Sequence, residues 1–228
     1  MNKYWEIKSA SANKNPELLI YKFIGSFFED EIGALQIHNE LKLLGDVPEL
    51  DVRINSKGGD VFEGFAIYNM LLAFKAKINV YIDGVAASIA SVIAMAGDNV
   101  YMPKNASMMV HESSGICFGT AQDMRAQAEA MDRVNAGIIQ AYMDKSGMKE
   151  ADAKKLISNG DTWLTAAEAV EKGLADKVIE PVKAAAFFHN SMPREIMDRI
   201  KQAMEEDPSA LIAARRRTLQ LLEAELTF

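Results

Sequence analysis

The chain has 228 residues, 49 % hydrophobic and 25 % charged, enough apolar material for one well-packed domain and an appendage. A formal net charge of −7 argues against nucleic-acid binding, which needs a basic face, and the short Arg215-Arg216-Arg217 run reads as a solvated helix face. One cysteine, Cys117, excludes an internal disulfide and fits a reducing compartment; with no secretory h-region and no run near the ~20 apolar residues of a membrane span, a cytoplasmic protein without a membrane contact is expected.

Lys3 to Lys8 and Leu18 to Ile24 read as strands, split by the polar turn from Ser11 to Pro16. Asp30 is expected to open a helix with Ile32, Leu35, Ile37, Leu41 and Leu44 as its apolar stripe. Leu50 to Asn55 is a short strand, Ser56-Lys57-Gly58-Gly59 a tight turn, and Val61 to Phe74 a second helix with Phe62, Phe65, Ile67, Tyr68, Leu71 and Leu72 as contacts. The same order then recurs. Ile78 to Ile82 is a strand, Asp83-Gly84 a turn, and Ser88 to Ala96 a helix of small and apolar residues; Asn99 to Met102 and Ser107 to His111 are strands.

Thr120 to Lys145 predicts a long amphipathic helix, capped by Thr120 with Asp123 and carrying Met124, Ala128, Met131, Val134, Ile138 and Tyr142 on one face. Ala151 to Ser158 is a short helix. Thr165 to Glu168 is a capping box for another, which Gly173 ends, and Leu174 to Ile179 is the last strand. Strands alternating with helices imply an α/β fold with right-handed crossovers. After Pro181 the pattern changes to two helices, Arg194 to Glu205 and Ser209 to Leu226, so the chain divides into a core of residues 1–181 and a helical tail of residues 182–228.

In α/β folds a ligand sits beyond the carboxyl ends of the strands, so the Gly58-Gly59 turn and the Gly84 to Ser88 segment should face one crevice. Ser88, at a helix start, is either an N-cap or a nucleophile beside unpaired backbone N–H groups and the positive end of a helix dipole. A serine nucleophile needs a base. Of His38, His111 and His189, only His111 ends a strand; His38 reads as a half-exposed helical residue and His189 as a surface residue of the tail. Asp161, in an Asn-Gly-Asp turn, is either turn chemistry or the group that orients such a base. Cys117 is a weaker nucleophile candidate, because nothing places it at a helix start. The glycine pair lacks a phosphate-binding pattern, no cluster has metal-ligand spacing, and no cofactor is called for.

These residues carry a resemblance. Asn55-Ser56-Lys57-Gly58-Gly59, Gly84-Val85-Ala86-Ala87-Ser88, Met109-Val110-His111, Asp161 to Ala169 and Gly173-Leu174-Ala175-Asp176 resemble, in that order, the proteolytic subunit of the Clp protease over roughly Leu18 to Val182. The resemblance implies a crotonase-like α/β fold of repeated β-β-α units with a protruding handle helix, here Thr120 to Lys145. It implies a serine endopeptidase with Ser88 as nucleophile, His111 as base, Asp161 as its orienting carboxylate, and the backbone N–H groups of Gly59 and Ile89 as an oxyanion hole. Asp60 to Phe62 and the residues near Cys117 would border a cleft that binds peptide as an added strand. It also implies homo-oligomers, heptameric rings stacked through the handles.

Lys57 in place of the family's usual proline, the Asp60 to Gly64 run, the Trp5-containing start and the helical tail look more like head-maturation proteases of tailed phages and prophages. A scaffold or capsid protein would then be the substrate, and no counterpart of the loop that engages an ATP-driven unfoldase is seen. The alternatives are a housekeeping Clp subunit, a crotonase-like acyl-CoA hydratase or isomerase that would not need Ser88, and a non-enzymatic assembly protein.

Overall fold

A computed structural model describes residues 7–8, 15–25 and 31–180. The tail 182–228, with its two expected helices, His189 and Arg215-Arg216-Arg217, lies outside the described residues, as do Asp30 and Trp5. In chain order the elements are β1 (Ile7–Lys8), β2 (Glu17–Ile20), α1 (Ala34–Leu44), β3 (Glu49–Ser56), α2 (Val61–Ala73), β4 (Lys77–Ala87), α3 (Ile89–Ala94), β5 (Asn99–Pro103), β6 (Ser107–Val110), α4 (Ala121–Ser146), α5 (Glu150–Ile157), β7 (Thr162–Thr165), α6 (Ala166–Glu171) and β8 (Lys177–Ile179). The α/β class predicted by the alternation is the class found.

The sheet runs β1-β2-β3-β4-β5-β8, parallel throughout except for the antiparallel β1–β2 pair. Its two faces follow the period-two pattern of the sequence. Val52, Ile54, Val80 and Ile82 are fully buried and join Ile37 and Leu41 of α1 and Ile67 and Leu71 of α2 in one core. The intervening positions are polar and satisfied on the other face. Asn79 Nδ2 donates to Glu49 Oε2 at 2.8 Å and Asp51 Oδ1 at 3.2 Å, and Asn99 Nδ2 donates to Asn79 Oδ1 at 2.8 Å. Beside this ladder Arg53 Nε donates to Asp83 Oδ2 at 2.8 Å, its Nη2 pairs with Asp83 Oδ1, and the Tyr21 hydroxyl donates to Asp83 Oδ2.

β4 determines where the site lies. With 11 residues it takes two partners in series on one edge, β5 along Asn79 to Tyr81 and β6 along Val85 to Ala87. Between them the register with β3 jumps from Ile54↔Ile82 to Ser56↔Ala86. The Asp83-Gly84 pair, expected as a turn between strand and helix, is therefore a bulge inside one long strand. Glycine suits it, since a Cβ at Gly84 would sit 2.8 Å from Asn55 Oδ1.

Other expectations shift for local reasons. The strand expected to reach Ile24 stops at Ile20, and Ile24 makes only isolated bridges to Ile32 and Gly59. The first helix begins at Ala34. Gln36 Oε1 accepts the Gly33 N–H and the Glu63 carboxylate accepts that of Ala34, so two orphan donors of the first turn are satisfied there. Ile32 is buried ahead of the helix, whereas Leu35 of the expected stripe is 72 % exposed, as are Phe62 and Leu72 in large part on α2. The third helix is only six residues long, Ile89–Ala94. β7 was not expected at all; it pairs antiparallel with β6, Val110 opposite Thr162. Both capping boxes form, Thr120 with Asp123 and Thr165 with Glu168.

Candidate active site

β4 passes into α3 through a single residue, Ser88, so that residue must make the whole change of direction. It does so at φ 55, ψ −131, the one positive φ found for a non-glycine residue among those described. That conformation is sparsely populated by side-chain-bearing residues and is held here by its surroundings. The Ser88 N–H donates to Met109 O at 2.9 Å, continuing the β4–β6 ladder, and the Ser88 carbonyl accepts from Ser91 N at 2.9 Å and from Ser91 Oγ at 2.5 Å. The hydroxyl does not cap α3. The N-cap alternative raised from the sequence therefore does not describe it.

The hydroxyl instead faces His111. Ser88 Oγ and His111 Nε2 are 2.7 Å apart, within hydrogen-bond distance. The ladder explains the meeting. Ser88 is locked to Met109, and His111 lies two residues further along the same strand direction, one step past the end of β6. The β6–β7 register brings in the third group. Because Val110 pairs with Thr162, the next antiparallel position sets Asp161 against His111. His111 Nδ1 and Asp161 Oδ1 are 3.5 Å apart, ion-pair range but longer than a good hydrogen bond, and the Asp161 side chain is 62 % exposed. The third contact is thus the loosest of the site.

Two backbone donors stand on the rim. Ile24 brackets Gly59, its N–H donating to Gly58 O at 2.9 Å and its carbonyl accepting from Asp60 N at 2.7 Å, which leaves the N–H of Gly59 out of that pairing. Ile89 is the first residue of α3, so its N–H has no acceptor within the helix. The turn packs against the serine closely. A Cβ at Gly58 would lie 2.7 Å from Ser88 Cβ and 3.3 Å from Ile89 N, and one at Gly59 would drive into the carbonyl oxygen of Ile24. Gly58 and Gly59 also have φ 94 and 148. Gly59→Ala is accordingly expected to lower stability by about 1–3 kcal/mol through backbone strain and to displace the rim, measured as a lower urea midpoint together with reduced turnover.

Gly59, Ser88, Ile89 and His111 line one cavity of about 420 Å³. Asp60, Val61 and Phe62 border it, as expected, and on the other bank it is Glu112 to Ser114, rather than Cys117, that reach it. Its floor is apolar and comes largely from α4: Met131, Val134, Ile138 and Tyr142, with Val92 of α3. The sequence assigned this helical face to packing and gave no sign that its middle walls the cleft. Tyr142 is fully buried, and its hydroxyl, pushed up by burial, lies 2.8 Å from Ser91 Oγ, tying α3 to α4 beneath the serine. His38 is exposed on α1 and takes no part, and half-buried Cys117 does not line the cavity. No group of three His, Cys, Asp or Glu residues among those described could hold a metal ion, and no described helix is long and apolar enough to cross a membrane.

Comparison with known proteins places this geometry in context. The sequence model of the family described as Clp protease matches residues 23–182. The ATP-dependent Clp protease proteolytic subunit 1 of Protochlamydia amoebophila (strain UWE25) is 35 % identical over 130 residues, which cover 55 % of this chain and 63 % of that protein. The chain thus aligns with somewhat under two thirds of that relative's length.

Proposed function

The chain belongs to the Clp protease family, and from that premise we propose that it is a serine endopeptidase whose reacting group is Ser88. The observation that carries the reading is the 2.7 Å approach of Ser88 Oγ to His111 Nε2 inside a cavity bordered by two uncommitted backbone N–H groups. Asp161 opposite Nδ1 favours the tautomer that carries its proton there, leaving Nε2 as acceptor. Oγ attacks the peptide carbonyl carbon and His111 takes the hydroxyl proton. The N–H groups of Gly59 and Ile89 stabilise the oxyanion, and His111 returns the proton to the leaving amine. Water, deprotonated by the same imidazole, then releases the acyl group. Since α3 is a six-residue helix, the oxyanion role rests on these two N–H groups rather than on a helix dipole.

The decisive experiment is cleavage of a fluorogenic peptide by the purified chain, with reaction of a fluorophosphonate at Ser88. An acyl-CoA hydratase of similar fold, or an assembly protein without activity, would show neither. Asp161→Asn is expected to lower kcat by about 10²–10⁴-fold, less than loss of the serine, because its contact is long and solvated. Wild-type kcat in this variant would reject the assigned role.

The finer assignment is to head maturation, with a scaffold or capsid protein as substrate. It is supported by Lys57, by the Asp60 to Gly64 run and by the extra sequence after residue 181. A housekeeping subunit working with an ATP-driven unfoldase is supported by the relative's name. Degradation of a folded substrate only when unfoldase and ATP are added would decide for the latter. Exposed Leu43, Ile116, Phe118 and Met124, the last on the handle helix α4, support a homo-oligomer, for which rings of seven are the family's form. A cytoplasmic setting follows from the same reading.

A further inference from the structure

The cavity beside Ser88 is apolar at its floor and anionic at its rim. Asp60 stands on one bank, directly after Gly59, and Glu112 on the other, directly after His111; no lysine or arginine lines the cavity. Neither carboxylate is neutralised. Asp60 accepts the Phe62 and Glu63 N–H groups through Oδ1, each at 2.9 Å, which fixes the side chain and leaves Oδ2 without a hydrogen-bond or ion-pair partner among the described residues. The Glu112 carboxylate, exposed, has no such partner among them either, while its N–H is anchored to Ile157 O at 3.2 Å.

Resting on the peptidase reading, we infer that the cleft selects peptides carrying a lysine or arginine next to the apolar residue that fills its floor, with Asp60 and Glu112 as the specificity-determining pair. Two fixed negative charges on opposite banks, beside an apolar surface that excludes water, focus their field on whatever lies between them. A peptide ammonium or guanidinium placed within two residues of the scissile bond passes between those banks. A carboxylate in the same place is repelled by both. The main chain of a peptide added as a strand supplies affinity without regard to sequence, so these side chains supply the discrimination.

The test uses the full-length chain and matched fluorogenic peptides with one apolar residue at the cleavage position and Lys, Gln or Glu at each neighbouring position in turn. The lysine peptide is expected to give a kcat/KM about 5–30-fold above the glutamate peptide at low ionic strength, the ratio shrinking as salt is raised. In Asp60→Asn/Glu112→Gln, which keeps the α2 cap, the ratio is expected to fall toward one. Cleavage with no charge preference, or a preference that the double substitution leaves intact, overturns the inference while leaving the peptidase reading in place. Binding of the same peptides to Ser88→Ala by fluorescence anisotropy gives a readout independent of turnover. Charge-selective binding there without any cleavage by the wild-type chain would overturn the peptidase reading and keep this one, and equal affinities would overturn this one.

Discussion

Ser88→Ala is expected to reduce peptide hydrolysis by about 10⁵–10⁶-fold and to abolish labelling by a fluorophosphonate, with the fold unchanged. The size follows from the chemistry. The hydroxyl is the only group positioned 2.7 Å from His111 Nε2, and once it is gone the imidazole has no oxygen to activate except water. The two rim N–H groups still polarise a carbonyl, so some acceleration over uncatalysed hydrolysis survives. The fold is indifferent because the local bonds of residue 88 are main-chain ones, to Met109 O and from Ser91. Alanine inherits the positive φ at similar strain, and no helix cap is lost. The check is paired measurement of kcat/KM and thermal unfolding on both proteins. Turnover within tenfold of wild type would remove Ser88 from the reaction.

The largest stability effect is expected at Arg53. Its guanidinium is 10 % exposed and the Asp83 carboxylate it grips is 18 % exposed. The Tyr81 ring lies 5.2 Å from Arg53 Cζ, and Glu17 is a distant second partner at 3.9 Å. Taking two charges from water is costly, and the pair survives because each lone pair and proton finds a partner. Arg53→Met strips the cation and leaves a largely buried carboxylate held only by the Tyr21 hydroxyl. Burial and Asp83 raise the pKa of that hydroxyl far above working pH, so it remains a donor. A loss of about 3–5 kcal/mol is expected in chemical denaturation. Asp83→Leu should cost a similar amount, and the double variant much less than the sum, since the cost lies in the unpaired charge. Additive losses would show that the two residues act separately. A loss of turnover beyond that of stability is expected as well, because Asp83 begins the β4 bulge that leads to Ser88.

How much of this was legible beforehand can be judged residue by residue. The α/β class, the two capping boxes, the glycine turn and the short segments around Ser88 and His111 all depend on neighbours a few residues away, and local chemistry announces them. The sequence could also nominate Asp161, because the surrounding pattern resembles one family. It could not say that Asp83-Gly84 is a bulge rather than a turn. That depends on β4 exchanging β5 for β6 on one edge, a pairing between segments about twenty residues apart. Nor could it supply β7, whose four residues have no partner until β6 lies beside them.

By itself, then, the sequence determined which side chains were available and which helices and strands would carry them. The tertiary structure alone decided that Ser88 Oγ meets His111 Nε2, that Asp161 stands off at 3.5 Å, and that the middle of α4 forms the floor of the cleft. The physical reason is register. Helix caps and alternation are short-range and written in consecutive residues. The position of residue 162 against residue 110 is set by ladder hydrogen bonds and by burial on one face, which exist only once the distant strands are side by side.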